Sequence, residues 1–312
     1  MRILFAGSPD IAVPSLEAVV ASGHTVVAVL TNPPAPRGRG LGMASTPVEM
    51  AATRFGLPVL SPERLGPAER EAIAALEPEL LVVFAYGKIF GPKFMALFPC
   101  GGINAHPSLL PRWRGCAPIP FAIMNRDLVT GVTIQRISPR VDAGDVLKQA
   151  PIEMRGIETT ETLSALSGIL GAKLLCQVLA EIESGSERGV PQDESAVTYS
   201  AELSKDDGLV DWNAAASDID ARVRALFPWP LAFTGLGADR LTILESRPYT
   251  VEESGNAPGT VISVDKSRGI MVQTGQGLMA ILRLQLQGKK AMGFKDFANG
   301  ARGLVGTRLG AP

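Results

Sequence analysis

The first stretch of chain confines the fold. Arg2–Ala6 is an apolar run that breaks at Gly7-Ser8-Pro9-Asp10, a helical apolar period follows over Val13–Ser22, and Thr25–Thr31 is a second, β-branched run. Strand, turn, helix and strand in that order argue a parallel βαβ unit, because parallel neighbours need a long crossover and the helix supplies it. The turn FAGSPD has one glycine and lacks the Gly-x-Gly-x-x-Gly spacing, so a dinucleotide is not indicated. Leu80–Ala85 and Gly101–Ala105 read as further buried strands, and helices are expected at Pro47–Phe55 and Pro118–Asn125. Gly131–Ile137 and Asp145–Pro151 read as an extended pair, and the helical period over Thr160–Glu183 closes this part of the chain.

A length of 312 residues is long for one core. Gly185–Gly208 replaces periodic apolar residues with Ser, Glu, Pro, Gln and Asp, and reads as a polar connector. Beyond it come one amphipathic helix, Asp218–Leu226, and five short β-rich runs at Ala232–Gly235, Arg240–Ser246, Gly259–Val264, Gly269–Gln273 and Leu278–Leu286. Short strands separated by Gly and Asn turns suggest a small barrel of OB type. The expected architecture is a Rossmann-like α/β domain over residues 1–189, a linker over 190–208 and a smaller OB-like β-barrel over 209–312. The formal net charge of −1 hides an asymmetry: residues 209–312 carry 12 Lys+Arg against 9 Asp+Glu, or +3, which leaves 18 against 22, or −4, for the rest. The carboxyl-terminal part is mildly basic, which suits a nucleic-acid face without requiring one.

Cys100, Cys116 and Cys176 are widely spaced and form no Cys-x-x-Cys pair, so free thiols in a reducing compartment are expected, and no zinc or other metal. Cys116 reads as a small buried thiol rather than a nucleophile. The chain opens on a strand rather than a signal peptide, and no apolar run is expected to reach membrane-spanning length, so a soluble cytoplasmic protein without membrane partners is expected.

The chemistry concentrates in Asn104–Gly115, NAHPSLLPRWRG, read with Asp142 in RVDAGD. Only two histidines are present; His24 stands just before a strand and serves a turn, while His106 lies two residues after Asn104. If a strand ends there, alternation puts Asn104 and His106 on one face. Asn can donate to a developing oxyanion, and His can donate or carry a proton. A carboxylate from a distant loop, Asp142, could orient the imidazole. On spacing alone, a structural histidine and a turn asparagine account for the same residues.

This block, followed by Val141-Asp142-Ala143-Gly144-Asp145, resembles the signature of the folate-dependent formyltransferases, which pass a formyl group from 10-formyltetrahydrofolate to an amine. The resemblance implies that Asn104 and His106 stabilise the oxyanion, with His106 acting best as imidazolium. It implies that Asp142 relays the amine proton through water, with no covalent intermediate. It places Ser108, Leu109, Leu110 and Pro111 against the folate co-substrate and makes Tyr86 and Gly87 a wall of its pocket.

Features further along are similar, in the same order, to the branch of the family that acts on initiator methionyl-tRNA. They are the Pro- and Gly-rich loop Asn32–Ala44 with Arg37 and Arg39, the Leu203-Ser204-Lys205 linker, Phe227-Pro228-Trp229-Pro230, the barrel, and Gly288-Lys289-Lys290-Ala291-Met292. That loop is expected to be exposed and mobile. The resemblance implies tRNA contacts at Arg37, Arg39, Lys205, Lys289 and Lys290, and a monomer. Arg112, Trp113 and Arg114 lean the same way, by stacking and phosphate pairing. Leu41 and Gly42 stand where that branch carries lysines, and Pro107 where many of its members have glycine. A nucleotide-sugar formyltransferase and a non-catalytic folate- or nucleic-acid-binding protein are the rival readings.

Overall fold

The computed structural model of the chain describes residues 1–37, 42–301 and 303–311. Two compact units emerge: Met1–Pro118 with Val129–Glu153 and Leu163–Ala201, and Ile119–Leu128 with Met154–Thr162 and Glu202–Pro312. In the first lie β1 (Arg2–Gly7), β2 (Thr25–Leu30), β3 (Ala35–Arg37), β4 (Gly42–Ala44), β5 (Val59–Leu60), β6 (Leu80–Phe84), β7 (Gly102–His106), β8 (Arg114–Gly115), β9 (Val129–Arg136), β10 (Val146–Glu153) and β11 (Tyr199–Ser200).

Seven of these make one sheet in the order β10-β9-β7-β6-β1-β2-β5. Pairings among β5, β2, β1, β6 and β7 are parallel, and β9 and β10 add on antiparallel. The leading βαβ unit is as expected, with α1 (Val13–Ala21) as its crossover. Ile3 and Phe5 enter one core while Leu4 and Ala6 enter another, so β1 is apolar from Ile3 onward because both its faces are covered there. Pro47 at the first turn and Thr46, whose hydroxyl accepts from the Glu49 N–H, start α2 (Pro47–Arg54). Two short helices, α3 (Pro67–Ala74) and α4 (Pro92–Met95), and then α5 (Pro118–Met124) follow in chain order.

The helix α6 (Thr160–Glu183) corrects one expectation, because it is long and apolar enough to cross a membrane by length and composition. Its side chains explain the apolarity otherwise: Leu174, Leu175, Val178 and Leu179 are buried in the core beneath the sheet. It packs closely, since a Cβ on Gly168 would stand 2.8 Å from the Ile11 carbonyl oxygen.

The Asn32–Ala44 segment is not wholly a loop. β3 and β4 pair antiparallel, with Pro36 opposite Met43, and proline's fixed φ is compatible with such an isolated extended edge. Residues 38–41, Arg39 included, lie outside the described residues. Nor does the polar stretch before the second unit run free: β11 pairs in parallel with β8, and Val190 bridges Val146.

The second unit carries α7 (Ala216–Ala225), β12 (Ala232–Leu236), β13 (Asp239–Tyr249), β14 (Val261–Asp265), β15 (Gly269–Gln273), β16 (Leu278–Leu286), β17 (Met292–Gly293) and α8 (Phe294–Gly300). The five expected strands form an antiparallel sheet in the order β12-β13-β16-β15-β14, with β17 added beside β16. Gly310 bridges Gly235 on β12, and Arg308 bridges Thr260 at the start of β14, so the last described residues join the two outer strands into a barrel. β13 overruns its expected end because β12 covers it only as far as Ile243; Pro248 has no strand on that side to miss its N–H.

Candidate active site

β7 carries both signature side chains and ends at His106 rather than one residue earlier. Its antiparallel partner β9 sets Gln135 opposite Asn104 and Thr133 opposite His106, so four polar side chains share one face. Ile103, Ala105, Val132 and Ile134 take the other face and lie in the core. Alternation therefore produces a polar patch on an otherwise apolar sheet.

Asp142 reaches this patch from the turn between β9 and β10, where its own φ is 52°. Its Oδ1 accepts from Gln135 Nε2 at 2.9 Å and from Asn104 Nδ2 at 3.4 Å, and its Oδ2 accepts from the Gly115 N–H at 2.9 Å. His106 Nδ1 stands 3.6 Å from Oδ1, an ion-pair distance rather than a hydrogen bond. His106 Nε2 lies 2.8 Å from the Trp113 carbonyl oxygen. A carbonyl only accepts, so Nε2 carries a proton, and Nδ1 is the nitrogen left to face a reacting group. Were the ring protonated at both nitrogens, that Nδ1 would be a donor as well.

A second layer fixes the first. Gln192 donates to the carbonyls of Asp142 and Gly144 and accepts from Arg114. Arg114 is 1% exposed and pairs with Glu194, which also binds Arg140. The hydrogen bond from Arg114, and then that from Arg140, holds the Glu194 carboxyl below the usual range. This overturns the phosphate reading of Arg114, whose guanidinium is spent inside the protein. Trp113 is also buried, with the Arg112 guanidinium 4.4 Å from its ring centroid. Cys116 is exposed, not buried as expected.

The residues assigned to folate by resemblance divide into scaffold and surface. Ser108 Oγ donates to the Arg112 carbonyl, while the Leu110 N–H donates to Thr133 Oγ1 and the Leu110 carbonyl accepts from Gln149 Nε2. Those groups hold the loop. Tyr86 is 1% exposed and stacks on Phe90. Accessible surface remains on Gly87, which is exposed, and on Leu109 and Pro111, which are half-buried. β6 and β7 are parallel neighbours, so the loops after Phe84 and after His106 leave the same end of the sheet. At that end Gly87, Leu109 and Pro111 stay accessible, while Ser108, Leu110 and Tyr86 are buried beneath them.

The candidate tRNA residues are not gathered by one element. Arg37 ends β3; Lys205 is exposed and precedes a short 3-10 turn, Asp206–Gly208; Lys289 and Lys290 are exposed in the turn after β16. Among the described residues, no three His, Cys, Asp or Glu side chains form a metal-ligating cluster.

The formyl transferase family profile matches residues 1–179, and the profile of the formyl transferase C-terminal domain matches residues 202–302. The chain belongs to the formyltransferase family. The methionyl-tRNA formyltransferase of Treponema denticola is 44% identical to it, over 96% of this chain and 97% of its own. That of Methylococcus capsulatus is 43% identical, over 99% and 100% respectively. In fold, the N-formyltransferase of Helicobacter canadensis, solved with folinic acid and dTDP-3-aminofucose, aligns with a TM-score of 0.67 over 90% of this chain and 99% of its own, at 18% identity.

The formyltransferase thus has site residues that sequence reasoning passed over. Gln135 and Thr133 were visible as polar positions alternating with apolar ones in β9, but nothing local pairs them with Asn104 and His106. Gln192 had no local signal, since it stands in a stretch that reads as linker.

Proposed function

We propose that this formyltransferase moves the formyl group of 10-formyltetrahydrofolate to the free amine of initiator methionyl-tRNA, by direct amine attack. The observation that carries the reading is the convergence of Asn104 Nδ2, His106 Nδ1 and the Asp142 carboxylate at one strand end. Attack of an amine on the formyl carbon builds charge on the formyl oxygen and loads the amine nitrogen with a proton. Collapse of that tetrahedral adduct breaks the formyl C–N10 bond, and the proton passes from the amine to N10 of the departing tetrahydrofolate. Asn104 and imidazolium His106 answer the first need as donors, and Asp142 answers the second, through water. The proposed attack is direct, with no covalent enzyme intermediate.

The acceptor follows from the relatives, which are named for methionyl-tRNA and match this chain through its barrel. Arg37, Arg39, Lys205, Lys289 and Lys290 are the cations proposed to meet the tRNA backbone, each as a phosphate contact. The enzyme is proposed to act as a cytoplasmic monomer, with a catalytic domain at 1–189, a linker at 190–208 and a tRNA-binding domain at 209–312.

The test offers labelled 10-formyltetrahydrofolate with methionyl-tRNA, glycinamide ribonucleotide and amino-sugar nucleotides in parallel, beside the His106→Ala protein. Transfer to methionyl-tRNA alone, lost in the variant, is expected. Transfer only to a small amine would keep the chemistry and overturn the acceptor. Folate binding with no transfer would leave a binding protein.

A further inference from the structure

Gln192 lies outside the signature, yet its side-chain amide is committed to the turn that carries Asp142. Nε2 is 2.9 Å from the Asp142 carbonyl oxygen, 2.8 Å from that of Gly144 and 3.4 Å from Gln135 Oε1. Oε1 accepts from Arg114 Nε at 3.0 Å and Nη2 at 2.9 Å. A guanidinium only donates and a backbone carbonyl only accepts, so the amide has one allowed orientation. Arg114 is itself immobilised, buried and paired with Glu194 at 2.9 Å.

The turn needs such a clamp. Asp142 sits in the left-handed region at φ 52°, which a non-glycine residue keeps only when its surroundings impose it. Gly144 lets the turn close on β9, since a Cβ there would stand 1.7 Å from the Arg136 carbonyl oxygen. Gln192 binds the carbonyls of both residues. We infer that Gln192, oriented by Arg114, is a positioning residue: it pins the Asp142 turn so that the carboxylate faces His106 Nδ1 and Asn104 Nδ2. This rests on the reading that those three side chains perform formyl transfer.

Gln192→Glu tests it with little change of shape. The new carboxylate keeps an oxygen for Arg114 and sets its other oxygen against two carbonyl oxygens, so the donor becomes a repulsion. The full-length protein holds two histidines, His24 and His106, so imidazole NMR resolves each ring without substrate. The His106 signals are expected to move while those of His24 stay. In turnover, kcat is expected to fall about 10–100-fold, as for other partners that orient a reacting group, with the KM for folate and for tRNA held. In an Asp142→Asn background the same substitution is expected to change kcat little, because the two act as one unit.

Unmoved His106 signals with an unchanged kcat would overturn the inference. A loss of equal size in both backgrounds would also overturn it, reducing Gln192 to a packing role. A fully active Asp142→Asn protein would sink the catalytic reading instead, and the NMR result would still decide the clamp. If the added charge prevents folding, Gln192→Met removes the donor without charge and is read by the same two assays.

Discussion

Asn104 and Gln135 face each other across β7 and β9 and donate to one oxygen, Oδ1 of Asp142, at 3.4 and 2.9 Å. The shorter bond belongs to Gln135. Asn104 is therefore the looser partner, able to turn its amide toward a ligand while Gln135 keeps the carboxylate in place.

For Asn104→Ala this division of labour predicts a rate loss of about 10²–10³, the usual cost of one oxyanion donor. Single-turnover transfer from labelled folate measures it. Because Asn104 is half-buried and its bond to Asp142 is long, the thermal midpoint is expected to stay near that of the parent. A loss confined to KM would remove Asn104 from the chemistry.

Thr133 predicts the opposite pattern. Fully buried, its hydroxyl donates to the Ser108 carbonyl at 2.7 Å and accepts from the Leu110 N–H at 3.1 Å and from Gln149 Nε2 at 2.8 Å. Thr133→Val conserves shape but removes all three bonds, leaving Gln149 only its bond to the Leu110 carbonyl, so a cost of about 1–3 kcal/mol is expected in urea denaturation. The KM for folate should rise with it, since these bonds hold the signature loop.

Tyr86 predicts an alkaline window. Burial pushes its phenol up to about 12, and the hydroxyl has no hydrogen-bond partner. The unfolded chain ionises near pH 10, so the neutral phenol's contribution is fully present below that pH and lost as pH rises from about 10 to about 12. A separation of that size amounts to about 2–3 kcal/mol. Tyr86→Phe keeps the stack on Phe90 and drops the orphaned hydroxyl. It should gain about 1 kcal/mol at neutral pH and lose this part of the alkaline sensitivity, read by denaturation at pH 8 and pH 11.

Legibility in the sequence tracked how local each cause was. The leading βαβ unit, the helix Thr160–Glu183 and the strands Gly269–Gln273 and Leu278–Leu286 follow from periodicity, and all stand where expected. Asn104, His106 and Asp142 came from alternation and a resemblance, and the fold brings them to one place. What failed to show was set at a distance. Arg114 reads as a surface cation until Gln192 and Glu194 close over it, and the pairing of β8 with β11 is invisible in a stretch of linker composition. The end of β13 lies beyond the expected Ser246 because its pairing with β16 continues to Tyr249, a partner far away in sequence.

Lys289 and Lys290 give a test of the acceptor reading that leaves the chemistry alone. The Lys289→Ala, Lys290→Ala double variant should raise the KM for methionyl-tRNA and leave kcat unchanged. The dependence of log KM on log salt should flatten by about one unit for each phosphate contact removed. An unaltered slope would take this turn off the tRNA.

The bridges from Arg308 and Gly310 to Thr260 and Gly235 also shape how the barrel meets other molecules. An open sheet presents rows of unsatisfied amides and carbonyls that any extended peptide, or another copy, can adopt as a template. Here the carboxyl-terminal residues take up part of those rows, at Gly235 and Thr260. More of the barrel's dealings with a partner then fall to its side chains and turns, which carry charge and can discriminate. A chain cut short at Gly306 would recover the templating rows, and with them a tendency to self-associate.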